Sequence, residues 1–182
     1  MSVKNILTGS GDDALRAGST LADDVDDVAR SAGLTRSQID DIIKTPREQR
    51  PDPSTYLTKE YIDHHLSQFK SGVTKLQASL KRDTIGPPEG TYVMPTSVVD
   101  DLLKRANGDV KLLEDFLGLE RGTLGDSPVR IDIANPQGLR MPTGNEMGAN
   151  GNWLPGGYTT RGIPEAVIDQ VQPGNYTVMP IK

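Results

Sequence analysis

From Leu21 onward the apolar positions recur every three or four residues. Leu21, Val25, Val28, Ala29 and Ala32 form one stripe, while Asp23, Asp24, Asp26 and Asp27 fall on the other side. That is the pattern of an amphipathic helix with acid near its start, ended by Gly33. Thr35 and Gln38 have capping-box spacing for a second helix carrying Ile39, Ile42 and Ile43, and Leu34 can staple to Ile39. After the proline-rich stretch 45–57, Thr58 caps a third helix with Ile62, Leu66 and Phe69 on one face, His65 beside them and Gly72 as its stop. The period then drops to two. In VTKLQASL, Leu76, Ala78 and Leu80 alternate with Lys75, Gln77 and Ser79, the pattern of a half-buried strand. TYVM predicts a short strand, Thr96 a cap for a helix with Val99, Leu102, Leu103 and Ala106 inward, and Asp109 a cap for another that ends at Gly118.

VRIDI, residues 129–133, again alternates, with Arg130 and Asp132 opposite the apolar face. The charged pair either faces a cleft or is structural. After it comes a Gly- and Asn-rich run, NPQGLRMPTGNEMGANGNWLPGGYTTRG. Ala166 and Ile168 then oppose Glu165, Val167 and Asp169, and QPGN leads to a last strand with Tyr176 and Val178 on one face, which predicts a terminal hairpin. The fold class expected is α+β: N-terminal helices packed on a small, mainly antiparallel sheet, with a long irregular cleft loop at 134–164. Residues 1–50 are expected to be a linker with a small helical hairpin, and residues 51–182 the main domain. Within the first part, residues 1–20 predict a mobile leader.

A net charge of −5 and a pI near 5.0 argue against a broad electrostatic grip on nucleic acid. VDDVARSAGLTRSQIDDIIK has the outline of a helix-turn-helix, but Asp40 and Asp41 on its second helix and the four aspartates of the first, Asp23, Asp24, Asp26 and Asp27, would face phosphates, so stable DNA binding is not expected. No apolar run is long enough to span a bilayer, and no membrane association is expected. The absence of cysteine excludes disulfides, thiolate metal sites and a cysteine nucleophile. His64 and His65 are the only histidines, and adjacent helical positions diverge too far to share a metal, so no metal site is expected. P-loop, GxGxxG, HExxH and GxSxG signatures are lacking.

The segments YLTKEYIDHHLSQFKSG, GTYVMPTSVVDDLL, GDVKLLEDFLGL, VRIDI, LRMPTGNEMGAN, WLPGG and PEAVID, from about Tyr56 to the end, resemble the C-terminal toxin domains of bacterial polymorphic toxins of the Rhs and contact-dependent type. The resemblance centres on RMPxGNExGAN followed by PGG and EAV. It implies an effector domain used in competition between bacteria and carried by a larger secreted chain into the target-cell cytoplasm. Residues 1–50 would then be a pre-toxin remnant, and a cognate immunity protein the expected partner.

The order of Gly-rich loop, strand bearing a glutamate, PG turn and closing strand also resembles the end of ADP-ribosyltransferases. That likeness implies NAD as substrate and either ADP-ribosyl transfer or NAD cleavage. Glu165 would meet the positive charge that develops on the ribose as nicotinamide leaves. Trp153 would stack on nicotinamide, Arg130 or Arg140 would pair with the pyrophosphate, and Asn145 or Asn150 would hold ribose hydroxyls, with Gly156 and Gly157 giving close backbone approach. The likeness lacks a Ser-Thr-Ser strand and the Glu-x-Glu pair, since position 163 is Ile, so transfer to arginine is not expected. The alternative enzyme is a metal-independent ribonuclease acting on target-cell RNA, with His64 or His65 as base and Glu146 transferring protons. A third reading is a non-catalytic interaction module, which leaves the GNEMGAN loop without a role.

Overall fold

The computed structural model describes residues 21–182, with side chains from Val25 onward, so the predicted leader falls outside the described residues. These residues form five α-helices, a five-stranded antiparallel sheet and a separate two-stranded sheet, an α+β fold.

Helix α1 (Leu21–Ala32) ends where Gly33 takes φ +69°, and Leu34 N–H returns to Ala29 O at 2.9 Å. Helix α2 (Arg36–Lys44) starts with the expected capping box, Thr35 Oγ1 accepting from Gln38 N–H and Gln38 Oε1 from Thr35 N–H. Helix α3 (Lys59–Ser67) is capped by Thr58, as its sequence predicts, but it ends at Ser67. Gly72, with φ +114°, serves instead to swing the chain into the sheet. Val28 and Ala32 of α1, Leu34 of the turn and Ile39 of α2 share one apolar cluster with Tyr61 of α3 and with Met141, Leu154 and Tyr158 from the far end of the chain. Burying that stripe is what holds the helical hairpin on the rest of the molecule.

Strand β1 (Val73–Gln77) lies at the centre of the sheet, between β2 (Thr91–Pro95) and β3 (Val129–Ile133). Val73, Val93, Ile131 and Ile133 cover one face together with Phe69, just past α3. On the other face Leu76 and Met94 pack against helices α4 (Thr96–Ala106) and α5 (Val110–Leu117) through Leu102, Ala106 and Leu113. The sheet is therefore a middle layer with helices on both sides. Asp109 caps α5 through Leu112 N–H at 3.0 Å, and Asn107 and Gly118 close the two helices in left-handed conformations. α4 has no side-chain cap. It follows directly from β2, and the hydroxyl of Thr96 accepts from Thr74 Oγ1 at 3.0 Å rather than capping the helix.

Three other sequence expectations change. The strand predicted over 73–80 stops at Gln77, and Lys75 pairs with Ile131 on the face of the buried core rather than facing outward. The loop at 134–164 is not wholly irregular, because β4 (Trp153–Leu154) and β5 (Tyr158–Thr159) pair within it, closed by Gly156 at φ +113° and Gly157 at φ +84°. No terminal hairpin forms. β6 (Ala166–Ile168) pairs with β2, while β7 (Thr177–Pro180) pairs with β3 at the opposite edge, giving the order β6-β2-β1-β3-β7. β6 is fully buried and flanked on its outer side by Arg140, whose backbone exchanges two 2.9 Å bonds with Val167. β7 is exposed throughout and suits an edge. The turn chemistry of QPGN redirects the chain but carries no information about which strand comes next to it.

Candidate functional site

The central β1–β2 ladder is incomplete. Pairing covers Val73↔Pro95 and Thr74↔Met94 and then stops, although both strands continue. Beyond that point β1 stays paired to β3 and β2 to β6, so a seam opens in the middle of the sheet. A cavity of about 450 Å³ occupies this region, within the usual range for a small-molecule site. Its walls come from Thr74–Gln77, Thr91–Met94, the Gly86–Pro87 turn, the end of α5, and Met147–Asn150 of the GNEMGAN loop, with Asn152, Trp153 and Glu165.

Glu165 stands immediately before β6. Its backbone is pinned at both ends, N–H to Gly157 O at 2.8 Å and carbonyl to His65 Nε2 at 2.9 Å, leaving the carboxyl on the cavity wall. Burial pushes its pKa up to about 8, the nearby Glu146 charge adds to the rise, and Lys75 opposes it. Lys75 leaves β1 on the core face, and its ammonium reaches across the seam to Tyr92 O at 3.4 Å. Burial holds its pKa below the ordinary lysine value, against the pull of Glu165.

Glu146 is the clamp of the loop. Its carboxylate accepts from Thr143 N–H at 2.8 Å, Thr143 Oγ1 at 3.0 Å, Gly144 N–H at 2.9 Å and Tyr92 Oη at 2.7 Å. Burial disfavours its charge, but these donors outweigh burial and hold its pKa below the ordinary glutamate value. The Tyr92 hydroxyl is driven the other way, by burial and then by the Glu146 charge. A second tie comes from Arg50, which donates to Gly144 O at 2.6 Å and lies 4.8 Å from the centre of the Trp153 ring. Gly144 packs so closely that a Cβ there would sit 2.6 Å from that ring.

Of the residues singled out from sequence, Glu165, Asn150 and Trp153 line the cavity, and Glu146 joins them through Tyr92. Trp153 is 3% exposed, with one side taken by Arg50. His65 is fully buried between Tyr61, Phe69 and Tyr158 and does not line the cavity. Gln68 donates to its Nδ1 at 3.3 Å, so its Nε2–H is the donor to Glu165 O, and burial lowers its pKa to about 4. His64, one position away, is half-buried. Gly157 packs on the His65 ring and Gly156 lies against Val28 and Tyr61. Asn145 binds the backbone of Glu48 and Arg50. Arg130 pairs with Asp132 and Asp100, and Arg140 with Asp169 and with Glu89 O, both away from the cavity wall. The Arg130–Asp132 pair is thus a tie between the sheet and α4, the structural option its sequence left open.

No family model matches this chain, and no curated protein matches it. Among the described residues no group of three His, Cys, Asp or Glu converges as a metal site would require, and no helix is long and apolar enough to cross a membrane. Lys75 and Tyr92 are the site residues that sequence reasoning missed. Lys75 carried one usable signal, its place two residues after Val73 in a strand whose alternation can be read in either phase.

Proposed function

We propose that this chain is the effector domain of a polymorphic toxin and that it acts on NAD. The bond from the ribose anomeric carbon to the nicotinamide nitrogen breaks, and neutral nicotinamide leaves with the bonding pair. The same carbon bonds to the oxygen of water, or to an acceptor on a target-cell protein, which loses its proton to solvent. The observation that carries this reading is convergence: Glu165 and the GNEMGAN segment, far apart in the elements they belong to, line one cavity.

Glu165 suits the reaction because of its environment. A desolvated carboxyl with a pKa near 8 is poorly ionised at neutral pH, and a cationic nicotinamide ring beside it would favour the charged form. The carboxylate is then held where positive charge grows on the ribose, which is where a fixed anion lowers the barrier most. An RNA cleavage gains less here, because His65 is buried and does not line the cavity, whose one carboxylate is Glu165.

Purified protein incubated with NAD, with and without bacterial lysate to supply acceptors, is expected to release nicotinamide. Glu165→Gln should slow that release by about a hundredfold or more, a loss typical of one electrostatic group in an active site. Expression in bacteria without an immunity protein should arrest growth. NAD left intact in the presence of lysate rejects the reading, and RNA fragments formed in a parallel incubation would replace it.

A further inference from the structure

Among the residues lining the cavity, Lys75 is the one cation and Glu165 the one carboxylate. Each affects the ionisation of the other, yet they make no direct ion pair, and the lysine's hydrogen bond is to Tyr92 O. Neither neighbour of opposite or like charge substitutes for a ligand. Glu146 is engaged by four donors from its own loop and Tyr92, and Arg50 is committed to the carbonyls of Ile43, Thr45 and Gly144 and to the Trp153 face. Lys75 is therefore a cation brought to the wall of a cavity by a gap in the β1–β2 ladder, with a weak neutral acceptor as its partner.

The geometry points to Lys75 as the anchor for a phosphate of the substrate, so that the cavity takes a dipolar nucleotide with phosphate on Lys75 and its cationic ring on the side of Glu165. This rests on the NAD reading and adds to it the group that orients the substrate. A half-desolvated ammonium gains most from an anion that can form charge-assisted hydrogen bonds, and a cation at the other end of the same ligand relieves Glu165. Burial disfavours the Lys75 charge, and a bound phosphate would oppose that effect by favouring the ammonium form.

Nicotinamide mononucleotide and nicotinamide riboside carry the same cationic ring and differ in the phosphate, so their equilibrium binding by calorimetry isolates the lysine's part. The wild-type protein is expected to bind the mononucleotide at least about tenfold more tightly than the riboside. Lys75→Met should bring the two affinities together by weakening the mononucleotide alone, and Lys75→Arg should keep most of the preference. Equal wild-type affinities, or a Lys75→Met loss shared equally by both ligands, overturns the proposal. The wild-type ratio decides even if Lys75→Met fails to fold. A Lys75-dependent preference with NAD left uncleaved supports the anchor and removes the NAD-cleaving reading, whereas cleavage without phosphate preference does the reverse. Binding of neither ligand overturns the anchor, and nicotinamide release from NAD then decides the cleavage reading by itself.

Discussion

Glu165→Gln keeps the shape and hydrogen-bonding capacity of the side chain and removes its charge, so its effect on stability can be worked out in sign and size. An ordinary glutamate ionises at 4.5 and Glu165 at about 8. Between those values the folded protein keeps a proton that the unfolded chain gives up, so stability falls as pH rises through that window. At about 1.36 kcal/mol for each pH unit, the loss reaches on the order of 3 kcal/mol by pH 7 and levels off above pH 8. Glu165→Gln is therefore expected to gain on the order of 2–3 kcal/mol at pH 7. Urea denaturation followed by the fluorescence of Trp153, the single tryptophan and a buried one, measures it at pH 5, 7 and 8.5. The variant should be more stable than wild type at pH 7, indistinguishable near pH 5, and slow in nicotinamide release. A variant no more stable than wild type at pH 8.5 refutes the claim that this carboxyl is strained by its surroundings.

His65 produces the opposite slope. With its pKa lowered to about 4 from 6.5, the fold refuses a proton that the unfolded chain accepts, so stability is lost as pH falls below 6.5. The loss should approach about 3 kcal/mol near pH 4, measured in the Glu165→Gln background where the competing slope is absent, and His65→Asn should flatten it. Gly157→Ala should cost about 3 kcal/mol or more in the same denaturation assay, because φ is +84° and the new Cβ would lie 2.4 Å from Nε2 of the buried His65 ring, so that backbone or ring must shift. Glu146→Ala should cost about 3 kcal/mol at neutral pH by stripping four donors of their acceptor. Since the Glu146 pKa is lowered, that contribution is present above 4.5 and disappears as pH falls, so wild type and variant should converge in acid. Failure of the two curves to converge would show that the carboxylate charge is not what holds the loop.

Local chemistry was legible in the sequence and longer-range pairing was not. The capping box at Thr35 and Gln38, the caps at Thr58 and Asp109, and the closure at Gly118 stand where their residues predict, because a cap is satisfied within four residues of chain. The α+β class followed from the change of hydrophobic period from 3.6 to 2, and the Gly/Asn-rich run and Glu165 drew notice from residue types alone. The sequence could not place β6 and β7 at opposite edges, since a turn such as QPGN has the same local energy whichever strand lies beyond it. Nor could it assign Arg130 to Asp100 or Arg140 to Asp169, partners that only the tertiary fold brings within reach. The cavity itself is a tertiary product. It exists because β1 follows β3 and β2 follows β6 after Thr74 and Met94 part, and no residue along either strand records where its neighbour will leave it. The same parting turns Lys75 from one polar position in an alternating strand into a cation on the wall of the cavity that Glu165 also lines, because its environment is set by its neighbours β2 and β3 and by Glu165, not by its own strand.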